Sequence, residues 1–172
     1  MSKPKVAVVR SMKPEGNDGF IAGKYTRLES DIKVIKEAVA KAVELSIGSL
    51  DAIIKEGDTV LIKPNLAFQA PPESFAVVDP RTVEAVVSYV KENSKAGKVV
   101  VGDNPSLGMH VGRAKPAFDV SGMEEAARLG GADEIIYFDE TETIPVDIPG
   151  AKIFKKATVF KPFLDADVVI NL

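Results

Sequence analysis

No cysteine occurs among the 172 residues. That absence excludes disulfides, thiolate zinc sites, a cysteine nucleophile and any iron–sulfur cluster held by the chain's own thiolates. Histidine and glutamine are nearly absent, with His110 and Gln69 the sole examples. Scarce glutamine and no cysteine, beside plentiful Lys and Glu, lean towards a thermophilic source. No apolar run approaches the roughly 20 residues needed to cross a bilayer. The opening MSKPKVAVVR has an apolar core of only four residues, Val6–Val9, too short for the central segment of a signal peptide. Cytoplasmic residence and no membrane partner are expected. A basic stripe is missing too: net charge is −3 and the lysines and arginines are spread along the chain. Nucleic acid is therefore not an expected partner.

The apolar fraction, 45%, is that of an ordinary globular protein, and the length suits one domain with a real core. Val6–Val9 reads as a short buried strand. Ile32, Ile35, Val39, Ala42 and Val43 recur at helical spacing, with Ser30 or Asp31 placed to cap the start and Gly48 to end it. A short helical stretch near Leu50–Lys55 closes at Gly57, and Val60–Ile62 forms the second strand. Asp79-Pro80 opens the next helix, Asp as cap and Pro at the first helical position. Val83, Val86, Val87 and Val90 line that helix, which Gly97 ends. Val99–Val101 is a third strand. SGMEEAARLGG carries a capping box, Ser121 with Glu124, and a double-glycine stop. Ile135–Phe138 is a fourth strand, residues 143–160 form a β-excursion turning at Pro149-Gly150, and Pro162–Asp165 is a helical turn. DVVIN is the last strand.

Strands and helices alternate, and several strands are uninterrupted apolar runs, the pattern of a mainly parallel sheet covered on both faces. The expected fold is α/β, a Rossmann-like three-layer α/β/α sandwich, with residues 1–172 as one domain. Loop lengths are asymmetric. Helix-to-strand links are short (56–58, 96–98, 130–133), whereas strand-to-helix links are long, roughly Arg10–Glu29, Pro64–Asp79 and Gly102–Val120. In a parallel sheet the long links all leave the carboxyl edge, where open α/β sheets bind ligands.

That edge collects Lys63, Asn65, Asp103, Asn104, Ser106 and Asn171. An ammonium neutralises ligand charge, amides orient the ligand, and a carboxylate binds a cation or accepts a proton. A small anionic or metal-chelated ligand is the expected partner, with a divalent metal as an accompanying cofactor. Against this stand Asx-turns at Asn65 and Asn104 beside prolines, and an ordinary surface position for Lys63. For His110, a base, a metal ligand and an exposed loop residue are all open. Arg113 and Lys115 could reach an anion but read first as solvated charges, and Asp79 reads as a cap in preference to a catalytic acid. Phe68 and Phe75, in the apolar loop 66–78, suit a lid, a pocket wall or a partner surface. GFIAGKY misses the phosphate-loop pattern, because Gly19 and Gly23 are one residue too close and Tyr25 replaces Ser or Thr. Glycines 102, 108 and 112 lack the dinucleotide spacing.

VLIKPNLAF, DPRTVEAVVSYVKE, KVVVGDNPS, AFDVSGMEEAARLGGAD and DADVVINL, in this order, resemble the family called domain of unknown function 362. The resemblance covers about residues 57–172. The family's lysine-proline-asparagine motif falls on Lys63, Pro64 and Asn65, its glycine-aspartate step on Gly102 and Asp103, and its asparagine-leucine step on Asn171 and Leu172. Many relatives look like iron–sulfur proteins with a fused ferredoxin-like module. The resemblance thus implies redox chemistry with an iron–sulfur or ferredoxin-like partner, and a chain that is the N-terminal part of a longer protein. The alternative is a non-catalytic ligand-sensing or ferredoxin-docking module.

Overall fold

The computed structural model describes residues 5–9, 29–67, 69–74, 76–105 and 113–172. The elements run in the order α1 (Glu29–Ile47), β1 (Thr59–Lys63), α2 (Pro80–Asn93), β2 (Lys98–Asp103), α3 (Ala114–Ser121), α4 (Met123–Gly130), β3 (Glu134–Tyr137), β4 (Thr143–Asp147), β5 (Lys156–Phe160), α5 (Pro162–Asp165) and β6 (Val168–Asn171). Four strands form a parallel sheet in the order β3-β2-β1-β6, while β4 and β5 pair as a separate antiparallel ribbon. This is the expected Rossmann-like α/β fold, with the expected β-excursion.

Alternation along the central strands decides which helices cover which face. Val60, Ile62, Val99 and Val101, all fully buried, point to one side and pack with Val83, Val87 and Val90 of α2 and Ala126 and Ala127 of α4. Each such valine or isoleucine contributes about 1.5–3 kcal/mol of burial free energy. Leu61 and Val100 point the other way, onto Phe138, Phe160, Phe163 and Ala166. That second layer is thin, built from the end of β5, the single turn α5 and a 3-10 turn at Phe138–Glu140. The connections β1-to-β2 and β2-to-β3 run through helices on the first face. The return from β3 to β6 passes over the second. The direction of winding therefore reverses between β1 and β6.

Several local expectations are corrected. Residues 5–9 form no strand, and Val6 and Val8 are 86% and 89% exposed. A strand needs a ladder partner, and no described strand lies beside them. Ser30 and Asp31 sit inside α1. Asp31 is buried there, and its carboxylate takes the Arg81 guanidinium at 2.5 Å, tying α1 to α2. The box at Ser121 and Glu124 does not form, because Ser121 closes α3 and its hydroxyl donates to the Phe118 carbonyl. Glu124 instead accepts from the Tyr137 hydroxyl at 2.5 Å and from Arg128 at 2.7 Å. The Gly102–Val120 link is shorter than expected, since α3 begins at Ala114. Pro116 is tolerated there because first-turn N–H groups have no intrahelical acceptor. Asp139 takes the Ala114 N–H at 3.1 Å. The cap at Asp79 is as expected, accepting from the Arg81 N–H at 2.9 Å. The loop asymmetry persists at Pro64–Asp79; residues 106–112 and 10–28, the larger parts of the other two long links, lie outside the described residues.

Gly102 marks the closest approach in the second layer. A Cβ there would lie 2.6 Å from Phe138 Cε1 and 2.9 Å from the Ile136 carbonyl oxygen. The backbone oxygen cannot move aside, so Gly102→Ala should destabilise the protein by about 1–3 kcal/mol in urea unfolding. The Glu124–Tyr137 bond generates a second expectation. Tyr137, then Arg128, hold the Glu124 carboxyl down from 4.5 to about 2. A depressed carboxyl contributes stability above its ordinary value and loses it as pH falls through the folded value. Wild type should therefore lose stability between pH 4.5 and about pH 2 more steeply than Tyr137→Phe.

Candidate functional site

β1 stops at Lys63 because Pro64 has no N–H to continue the ladder. Pro64 is itself buried and turns the chain over the carboxyl edge. On the neighbouring strand, β2 ends at Asp103, a carboxylate side chain only 5% exposed. Lys63 Nζ lies 3.0 Å from Asp103 Oδ1, and Asp103 Oδ2 accepts the Leu66 N–H at 3.0 Å. One carboxylate thus joins the ends of two strands and the start of the long loop. Above this pair opens a cavity of about 430 Å³. Lys63, Asp103, Asn65 and Asn104 supply its polar side, and Phe138, Phe160 and Phe163 its apolar wall. Its position is at the carboxyl edge of the sheet, between the ends of β1 and β2, and open α/β sheets bind ligands at that edge.

The structure brings Lys63, Asp103, Asn65 and Asn104 together around that cavity. Asn65 also works within its own loop. Its Nδ2 donates to the Ala76 carbonyl at 3.3 Å, its carbonyl accepts the Val78 N–H at 3.0 Å, and Leu66 bridges Val77. Asn104 Nδ2 donates to the Pro105 carbonyl at 3.3 Å, while its Oδ1 is buried with no partner among the described residues. Asn171 pairs in register with Lys63 and is exposed, but the cavity wall does not include it. Ser106, His110, Phe68 and Phe75 lie outside the described residues. Lys115 pairs with Asp119 and Glu124 at 3.3 Å each, away from the cavity, and Arg113 is exposed. The aromatic wall was not anticipated. Its sequence signal was the triplet Phe138, Phe160 and Phe163 flanking short turns, legible only once β3 and β5 are known to approach. Phe138 meets Phe160 and Phe163 at ring-centroid distances of 5.5 and 5.1 Å.

Residues 60–172 match the model of a family described as a domain of unknown function, DUF362. The chain belongs to that family. The matched segment begins inside β1 and contains every cavity-lining residue, so the site is built wholly within the DUF362 region. A thylakoid-associated protein of Synechocystis sp. is 30% identical over 131 residues, covering 73% of this chain and 36% of that relative. The chain therefore spans about a third of that relative's length. No solved structure matches the chain.

Burial pushes the Asp103 carboxyl of this DUF362 domain above its ordinary 3.8, against hydrogen bonds from the Asn104 N–H, Lys63 and the Leu66 N–H. The ion pair cancels charge at the cavity mouth. An ammonium, a protonatable carboxylate and amide groups are thereby set beside an apolar wall, a combination that binds small polar ligands. Asp103 is the sole carboxylate of the lining, and no group of three His, Asp or Glu side chains converges on a metal position among the described residues. A divalent cation needs about six oxygen ligands, so one carboxylate and amide oxygens suit a metal already chelated by a ligand. The donor set does not fit an iron–sulfur cluster, since the chain has no cysteine. No helix among the described residues is long and apolar enough to cross a membrane.

A carboxyl raised by folding contributes stability below its ordinary value and loses it as pH rises through the folded one. The stability difference between wild type and Asp103→Asn should therefore fall as pH rises above 3.8. Urea denaturation of both proteins, from below that pH to neutrality, measures it.

Proposed function

We propose that the chain is a ligand-binding α/β domain of a longer enzyme, taking a small anionic ligand, free or as a metal chelate, at the carboxyl edge. One observation carries this reading: the Lys63–Asp103 pair, 3.0 Å apart, at the mouth of the 430 Å³ cavity. Lys63 is the anion's charge partner, and Asp103 acts as base or cation ligand. Asn104 offers an amide beside them, Asn65 holds the loop in place, and Asn171 stands next to Lys63 on β6. Because Asp103 already neutralises Lys63, an arriving anion must displace the carboxylate or arrive with a proton for it. The raised Asp103 pKa favours the second route, so binding of the anion is coupled to proton uptake.

Cytoplasmic residence belongs to the same reading. So does redox coupling to an iron–sulfur or ferredoxin-like partner, as a statement about the whole protein. A ligand-sensing role without turnover would use the same cavity; it is favoured by the absence of any nucleophile–base pair among the described cavity residues.

Sulfate keeps its charge across the useful pH range, and magnesium citrate represents a chelate; isothermal titration with both tests the reading. Lys63→Met should weaken sulfate binding about 10-fold or more, the worth of a hydrogen bond to a charged group. Wild-type affinity should rise as pH falls, and Asp103→Asn should lose that dependence. Wild-type-like binding of both probes by both variants would falsify the proposal.

A further inference from the structure

The β4–β5 ribbon has a second feature at the end remote from the cavity. Its register runs from Thr143↔Phe160 at the base to Asp147↔Lys156, beyond which residues 148–155 form the tip. The tip is held by the chain's own backbone. The Ile148 N–H donates to the Lys155 carbonyl at 2.8 Å and the Ala151 N–H to the Ile148 carbonyl at 3.2 Å, with Gly150 at φ 75°. On this ordered turn, adjacent Ile153 and Phe154 are 80% and 77% exposed. Most other exposed large apolar side chains of the sheet and helices are far less open, such as Val169 at 43% and Leu129 at 49%.

Charge around the two side chains has one sign. Lys152 and Lys155 flank them, and the tip, residues 148–155, holds these two lysines and no acid. The tip thus carries a net charge of +2 on a chain of net −3. Lys156 faces Asp147 at 3.4 Å, both more than 70% exposed. Lys152 and Lys155 have no carboxylate within ion-pair distance among the described residues.

We propose that this tip docks on an anionic lipid surface, with Ile153 and Phe154 entering the boundary between headgroups and acyl chains. A two-residue tip is small for a protein partner, since a stable interface takes about 800 Å² from each side. It suits a bilayer, whose boundary accepts single apolar side chains at a depth of about 5–10 Å. Lysines beside them reach anionic headgroups while their stems lie along the apolar zone. Docking of this kind is peripheral and needs no spanning segment. It is independent of what the cavity binds.

The chain contains no tryptophan, so Phe154→Trp places a single indole at the tip. With the whole 172-residue chain, phosphatidylcholine vesicles containing phosphatidylglycerol should shift its emission to the blue, and brominated acyl chains should quench it. Pure phosphatidylcholine should do neither. In vesicle co-sedimentation, Ile153→Ser with Phe154→Ser, and separately Lys152→Glu with Lys155→Glu, should each lower partitioning about 10-fold, with far-UV circular dichroism unchanged. Three results would overturn the proposal: no sedimentation with anionic vesicles, equal sedimentation of the variants, or indole emission already blue without lipid. The last would show the tip covered by the chain itself. Binding of an acidic ferredoxin-like protein that both variants abolish, without vesicle binding, would assign the tip to a protein and overturn it as well.

Discussion

The carboxyl edge is organised around one buried carboxylate. Asp103 receives the Lys63 ammonium on one oxygen and the Leu66 N–H on the other, so the ends of β1 and β2 and the start of the Pro64–Asp79 loop share a single acceptor. A charge removed from water is costly unless it is paired and hydrogen-bonded. The surrounding backbone is therefore obliged to keep its donors in place. Pro64 fixes where the strand stops, and Leu66 then presents its N–H to the carboxylate. Even the second half of the loop follows, because the Asn65–Val78 and Leu66–Val77 pairings start from the same anchored turn.

This anchor explains how one edge of the sheet is both structural and open to ligands. The first face is closed by α2, α3 and α4, with α1 behind them, in a continuous apolar cluster. The second face carries a thin cover, and its cover ends where Asp103 and Lys63 begin. The crevice opens between the ends of β1 and β2, beneath the aromatic cover. The ion pair also cancels the lysine's charge within the site, so long-range steering of an approaching anion would be weak.

The parts legible in the sequence were those governed by neighbours along the chain. Asp79-Pro80 announced a helix start, Gly131 a stop, and Pro64 the end of β1. The apolar runs at Val60–Ile62 and Val99–Val101 announced parallel strands, and the unequal loops pointed to the edge where Lys63, Asn65, Asp103 and Asn104 meet. What was lost depended on contacts remote in sequence. Asp31 looked like a cap until Arg81 of α2 claimed it. Glu124 matched a capping pattern until Tyr137 of β3 supplied a better donor. Phe138, Phe160 and Phe163 gave no local sign of forming one wall, since a hairpin and a chain reversal bring them together.

Gly102 illustrates a different kind of information. Its missing Cβ leaves a notch into which the Phe138 ring settles, and Phe138 is part of the cavity wall. The cavity wall is thus shaped in part by a position that does not line the cavity. A side chain at 102 would meet both the ring and the Ile136 carbonyl oxygen. The form of the apolar wall and the charged pair at the mouth therefore rest on different residues.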